Sequence, residues 1–308
     1  YYIRNVTDLL RTTEVPSPPN IFPRTLLNLG ELETKGLEFQ VNYAAVETDN
    51  LTWNIGGNIS AVETVLVDLN DQENFIQFEG NLGAPGLAGI RPIIVEEGAE
   101  LGQIRAGIFA GYNDEGQSLI INQETGEPTT DRNIERDGVV VGNGLPDFTF
   151  GINNTLNYKS WDLNFLFRGA VGHSLVNIPR AYFEHPALGG RQNFVVTKFF
   201  NPDDTELDTF SSNQVEKADF IRLDNLTLGY NFNLSEASAI AGLRLYLAGN
   251  NLFTITGYSG SDPEVRISDV GPNNNGFLPQ GDILVPGVDR RNSAFQVRTV
   301  TFGVNIKL

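Results

Sequence analysis

Apolar and polar residues alternate with a period of two along much of this chain. From Leu51 the odd positions read Leu51, Trp53, Ile55, Gly57 and Ile59, and the even ones Thr52, Asn54, Gly56, Asn58 and Ser60. From Phe148, the positions Phe148, Phe150, Ile152, Leu156 and Tyr158 oppose Thr149, Gly151, Asn153, Thr155 and Asn157. Leu226, Leu228, Tyr230 and Phe232 oppose Asn225, Thr227, Gly229 and Asn231, and Val300, Phe302, Val304 and Ile306 oppose Thr301, Gly303, Asn305 and Lys307. The pattern returns at Leu37, Phe39, Val41, Tyr43 and at Trp161, Leu163, Phe165, Phe167. Successive strand residues point to opposite faces, so each run predicts a strand with one apolar face and one face of Asn, Thr, Gly and Ser. Eight strands are expected, over about 1–10, 33–46, 51–67, 148–158, 161–172, 219–233, 243–256 and 295–308.

The connections alternate in length. Segments 11–32, 68–147, 173–218 and 257–294 are long, whereas 47–50, 159–160 and 234–242 are short. Long loops at one end and short turns at the other are the habit of outer-membrane barrels, whereas sandwiches mix loop lengths at both ends. Trp53 and Trp161 follow short turns, and Tyr43, Tyr158, Tyr230 and Phe232 precede them, as an interfacial aromatic girdle requires. The polar face is mostly neutral, whereas a soluble sheet exposes Lys and Glu there. The expected fold class is therefore all-β, an antiparallel transmembrane β-barrel wall.

Composition narrows the chemistry. Among 308 residues, 38 acids against 21 bases give a net charge of −17, which argues against a nucleic-acid partner. There are no cysteines and two histidines, so thiol chemistry, disulfides and a His-rich metal site are not expected. Methionine is also absent and Tyr1 opens inside a strand-like run, so the chain is expected to be mature or truncated at its front. Segment 68–147 is too long a loop for a small eight-stranded barrel, so a wedge of a larger one is the better expectation.

Six stretches in order resemble the C-terminal region of TonB-dependent outer-membrane receptors of the SusC/RagA type. They are Tyr1–Leu10; Asn28-Leu29-Gly30 through Lys35-Gly36-Leu37-Glu38; Thr52-Trp53-Asn54 through Asn58-Ile59-Ser60; Gly142-Asn143-Gly144-Leu145-Pro146-Asp147-Phe148 through Gly151; Phe220-Ile221-Arg222-Leu223-Asp224-Asn225 through Tyr230; and Asn250-Asn251-Leu252-Phe253-Thr254 through Ser261-Asp262-Pro263-Glu264. The resemblance implies that residues 1–308 are about the last eight strands of a barrel of about twenty-two, with the plug domain and earlier strands lying elsewhere. It implies a nutrient importer for oligosaccharides or peptides, located in the outer membrane. Its partners would be outer-membrane lipid, a SusD-like lipoprotein and the TonB complex, with no cofactor and no enzymatic activity. Two features depart from the family: the segment Asp131–Gly138 is stretched or lacks its first acid, and Leu308 stands where a terminal aromatic is common.

Candidate contacts come from the loops. Phe75, Phe78, Tyr112, Tyr182, Phe183 and Tyr258 are the aromatics expected to meet a ligand or lid. Arg168 alternates with Asp162 and Asn164, so it should face the lumen and contact the plug. Asp131, Asn133, Glu135 and Asp137 carry oxygen ligands, but Gly144 falls where a calcium loop needs its Glu, so no metal is expected. His173 and His185 are expected to pack within their loop. Gly80, Gly83, Gly86 and Gly89 lack the strand-to-helix setting of a phosphate cradle. The alternatives are a passive porin-like channel, or a soluble or surface-attached β-rich adhesin or lectin. The latter requires protein over the faces of Trp161, Leu163, Phe165 and Phe167.

Overall fold

A computed structural model describes residues 1–14, 18–19, 21, 24–28, 30–68, 76–79, 82, 87, 89–186, 193–206, 209–234, 240–265, 286–290 and 296–308. Its principal sheet has eight strands: β1 (Tyr2–Val6), β2 (Glu31–Glu47), β3 (Leu51–Asp68), β4 (Phe148–Tyr158), β5 (Trp161–Val171), β6 (Phe220–Phe232), β7 (Gly242–Thr256) and β8 (Thr299–Lys307). Each pairs antiparallel with the next in sequence, an unbroken up-and-down meander. Among the described residues β1 and β8 do not pair, so the sheet is an open segment of barrel wall. Among the described residues no helix is long and apolar enough to cross a membrane.

The register puts the expected faces together. Trp161, Leu163 and Phe165 stand opposite Tyr230, Leu228 and Leu226, which in turn stand opposite Leu245, Leu247 and Gly249. This outward face is apolar and open: Phe39 is 63% and Phe302 68% exposed, and Leu37, Val41, Tyr43, Val300, Val304 and Ile306 are exposed with them. The adhesin reading needed protein over Trp161, Leu163, Phe165 and Phe167. Among the described residues no second sheet covers them; Trp161 is exposed, and the other three are half-buried by neighbours in their own sheet. One polar group on this face, Asn154, is buried and accepts the Trp53 indole N–H at 3.1 Å, which satisfies its carbonyl where lipid could not.

The girdle is a band rather than a level ring. Tyr158, Trp161 and Tyr230 share one rung. Phe232 lies one outward step nearer the turns, Trp53 one step farther, and Tyr43, opposite Ile55, two steps farther. The turn between β4 and β5 is the two-residue hairpin Lys159-Ser160, with Lys159 at φ +52°. Such a loop needs a left-handed residue to follow the strand twist.

The long connections fold into a cap at the opposite end. Strands Gly138–Asn143, Gln103–Gly107, Ile93–Glu96 and Ile76–Glu79 form one sheet, and Val215–Lys217, Ser174–Asn177 and Val288–Asp289 another. Leu82, Leu87, Ile93, Ile104, Val176, Ile178, Phe210 and Val288 bury one another between them. Leu32 and Leu66, near the upper ends of β2 and β3, pack on Val95 and Leu101 and tie the cap to the wall. Backbone bonds from Leu66 to Ala99 and from Leu101 to Thr64 reinforce that joint.

Candidate functional site

The inward face of the wall is a lattice of neutral hydrogen bonds. Asn164 Nδ2 donates to Thr155 Oγ1 at 2.8 Å, Asn157 Nδ2 to Thr52 Oγ1 at 3.1 Å, and the Thr34 and Thr64 hydroxyls meet at 3.1 Å. One ion pair crosses the lattice. Arg244 on β7 reaches over β6 to Asp162 on β5, with Nη2 2.5 Å from Oδ1 and Nε 3.0 Å from Oδ2. Gly229 lies beneath the bridge, and a Cβ there would collide with both partners. Gly229→Ala is expected to displace the bridge and, because the colliding atoms are the ends of two flexible, part-exposed side chains, to cost about 1 kcal/mol or less. Urea unfolding in detergent, compared with Arg244→Met, measures it.

At the capped end of the lumen two arginines stand directly opposite each other, Arg168 on β5 and Arg222 on β6. Like charges so placed destabilise a sheet, and three carboxylates offset them. Arg168 Nε donates to Asp224 at 2.7 Å, and its two terminal nitrogens grip Glu264 at 2.6 and 2.8 Å. Arg222 donates to Asp262 at 2.6 Å, to Glu264 at 3.1 Å and to Thr254 Oγ1 at 2.9 Å. Asp224 can reach Arg168 because the β6 register shifts there, leaving it unpaired between Leu223 and Asn225. Arg222 is 1% exposed. The cluster fastens the loop segment Asp262-Pro263-Glu264 to the wall.

A second polar core holds the cap. Asn177 caps the helix Ile178–Phe183, its side chain accepting from Arg180 N at 3.0 Å. Arg180, buried, donates to Glu184 at 2.7 Å, to Glu216 at 2.9 Å and to the Asn213 carbonyl at 2.8 Å, with its guanidinium 3.9 Å from the Phe199 ring centroid. Tyr112 lies beside this core. Burial first, then the charges of Asp204 and Glu184, push its hydroxyl up to about 12. A phenol whose folded pKa is raised is harder to ionise in the folded state, so the unfolded chain deprotonates first, near 10. Stability is therefore expected to fall between pH 10 and about 12, and Tyr112→Phe is expected to flatten that loss in unfolding titrations.

The expected residues distribute as follows. Phe75 lies outside the described residues, as do Gly80, Gly83 and Gly86; Phe78 lies in the strand Ile76–Glu79. Tyr182 and Phe183 form an edge-to-face pair 4.5 Å apart, half-buried in the cap, and Tyr112 is half-buried near them. Tyr258 is buried and donates to Asp289 at 2.6 Å, so it braces the cap and offers no ligand surface in this arrangement. His173 Nε2 donates to the Pro263 carbonyl at 3.0 Å, and His185 Nε2 donates to the Ala181 carbonyl at 3.0 Å, with its Nδ1 3.5 Å from Asp204. Asn133 caps the short helix Ile134–Asp137, while Asp131 and Asp137 share the Arg136 guanidinium at 3.1 and 2.6 Å. Among the described residues no three acidic or histidine side chains gather as a metal site. Sequence reading missed Arg222, Arg180, Glu216 and Asp262. Arg222 stood as a charge in a mostly apolar and neutral strand and Asp262 lay inside the motif Ser261-Asp262-Pro263-Glu264, whereas Arg180, in a short helix, and Glu216, beside Lys217, carried no such signal.

A strand meander with a lipid-ready outer face, a neutral polar inner face and a folded cap defines a portion of the wall of a transmembrane β-barrel. Comparison with known proteins narrows the class. TonB-dependent receptor P3 of Formosa agariphila is 30% identical over 337 residues, covering 100% of this chain and 32% of the receptor. TonB-dependent receptor P26 of the same organism is 28% identical, covering 99% and 32%. TonB-dependent receptor SusC of Bacteroides thetaiotaomicron is 23% identical, covering 86% and 27%. No family profile matches the chain. The solved RagAB peptide transporter superposes with a TM-score of 0.76 at 20% identity, over 99% of this chain and 32% of that one, and shares the fold. The chain spans about a third of the length of the relatives it matches. Its likeness to TonB-dependent receptors of the SusC/RagA kind runs along the whole chain.

Proposed function

We propose that this chain is the C-terminal part of the wall of a TonB-dependent outer-membrane receptor that imports oligosaccharides or peptides. The observation that carries the reading is the two-faced wall: apolar outward, neutral and hydrogen-bonded inward, capped at one end by folded loops. A neutral lumen suits the passage of polar nutrients past a plug, and Arg168 with Glu264 would be the charged pair nearest that plug. Tyr112, Tyr182 and Phe183 are the cap aromatics offered for ligand or lid contact. A SusD-like lipoprotein would close over the cap, and energy would arrive through segments outside residues 1–308. The protein does no covalent chemistry in this scheme.

The test is uptake. Cells lacking the full-length gene should lose import of a labelled oligosaccharide or peptide, and cells lacking TonB should lose it equally. Import that persists without TonB would show a passive channel and overturn the reading.

A further inference from the structure

We infer that a groove on the outward face of the wall seats one acyl chain of a phospholipid as a discrete bound lipid. The groove, about 370 Å³, is lined by Trp161, Leu228, Tyr230, Phe232, Leu247 and Phe302. Sites of about 300–1,000 Å³ hold small molecules. This one crosses three inter-strand spacings from β5 to β8, about 14 Å around the wall, wide enough to seat an acyl chain against the strands.

One side of the groove is a rigid aromatic ridge. Trp161 meets Tyr230 edge-to-face at 4.8 Å, and Tyr230 meets Phe232 edge-to-face at 4.8 Å. Leu228, Leu247 and Phe302 supply the opposite, exposed surface. The groove is continuous with the lipid-facing band, so its occupant comes from the bilayer. A groove left empty there would forfeit dispersion contacts along its whole lining. It lies toward the short turns, which outer-membrane barrels place at the periplasmic side. Lys159, exposed in the turn two residues before Trp161, brings a cation to headgroup level. An aromatic ridge, an apolar floor of two leucines and Phe302, and a cation at the rim match one phospholipid with its headgroup at the turn. The inference rests on the wall lying in a bilayer and not on what the lumen transports.

Native mass spectrometry of the full-length protein in detergent, titrated with palmitoyl-oleoyl phosphatidylglycerol, tests it. One lipid should survive activation that strips the rest. Leu247→Trp and Leu228→Phe each fill the groove and should lose that lipid while the protein keeps its heat-modifiable mobility on gels. Lys159→Gln should lower retention several-fold. Equal retention by the parent and both filled variants, or no retained lipid on the parent, would overturn the proposal. If Leu247→Trp does not fold, Leu228→Phe alone decides it.

Discussion

Arg222→Ala is expected to be the most damaging single change in the wall. It removes the donor to Asp262, Glu264 and Thr254 and leaves the Asp262 carboxylate buried without its ion partner. Breaking one side of a buried ion pair costs about 3–5 kcal/mol. The loss should be local first: the segment 257–265 should come off the wall and become sensitive to protease before the barrel unfolds. Arg222→Lys should recover part of the stability, because it keeps the charge but cannot reach three partners with one planar group. Arg222→Leu combined with Asp262→Leu should destabilise less than Arg222→Ala alone, since no charge is then stranded. Limited proteolysis and urea unfolding of the full-length protein read both effects. Equal stability of Arg222→Ala and the parent would show that the cluster holds nothing.

Leu226→Arg and Thr227→Arg should behave oppositely although they are adjacent. Leu226 faces outward opposite Phe165 and Gly249, and Thr227 faces inward opposite Asn164 and Ala248. An arginine on the lipid face near the bilayer midplane costs about 2–4 kcal/mol, whereas a lumen substitution tunes selectivity with little loss of stability. Folding titrations into lipid vesicles measure the difference. Similar costs at the two positions would mean that the two faces do not meet opposite environments and would remove the barrel reading.

Much of the wall was legible from alternation because lipid and lumen impose opposite polarity on neighbouring residues. Leu37 to Tyr43 and Trp161 to Phe167 needed no tertiary information to be placed on one face. The same holds for the two-residue turn at Lys159-Ser160, where the apolar period resumes at once. The cap was not legible. Ile93, Ile104, Val176, Phe210 and Val288 come from three long connections, and nothing local in any one of them shows that they will share a core. The aromatic choices show the same limit. Tyr258 and Tyr182 look alike as loop aromatics, yet one is locked to Asp289 and the other lies half-exposed in an edge-to-face pair.

By itself the sequence determined the strands, their faces and the end at which the loops gather, because a period of two is a local property of the backbone. Tertiary structure decided where the charges go. Counted by alternation alone, Arg222 shares a face with Leu226 and would point into lipid. The register shift at Asp224 turns it inward, opposite Arg168, where Asp262 and Glu264 can meet it. A bulge is set by pairing with the two neighbouring strands and by the carboxylates that a distant loop delivers, and neither is written in the thirteen residues of β6.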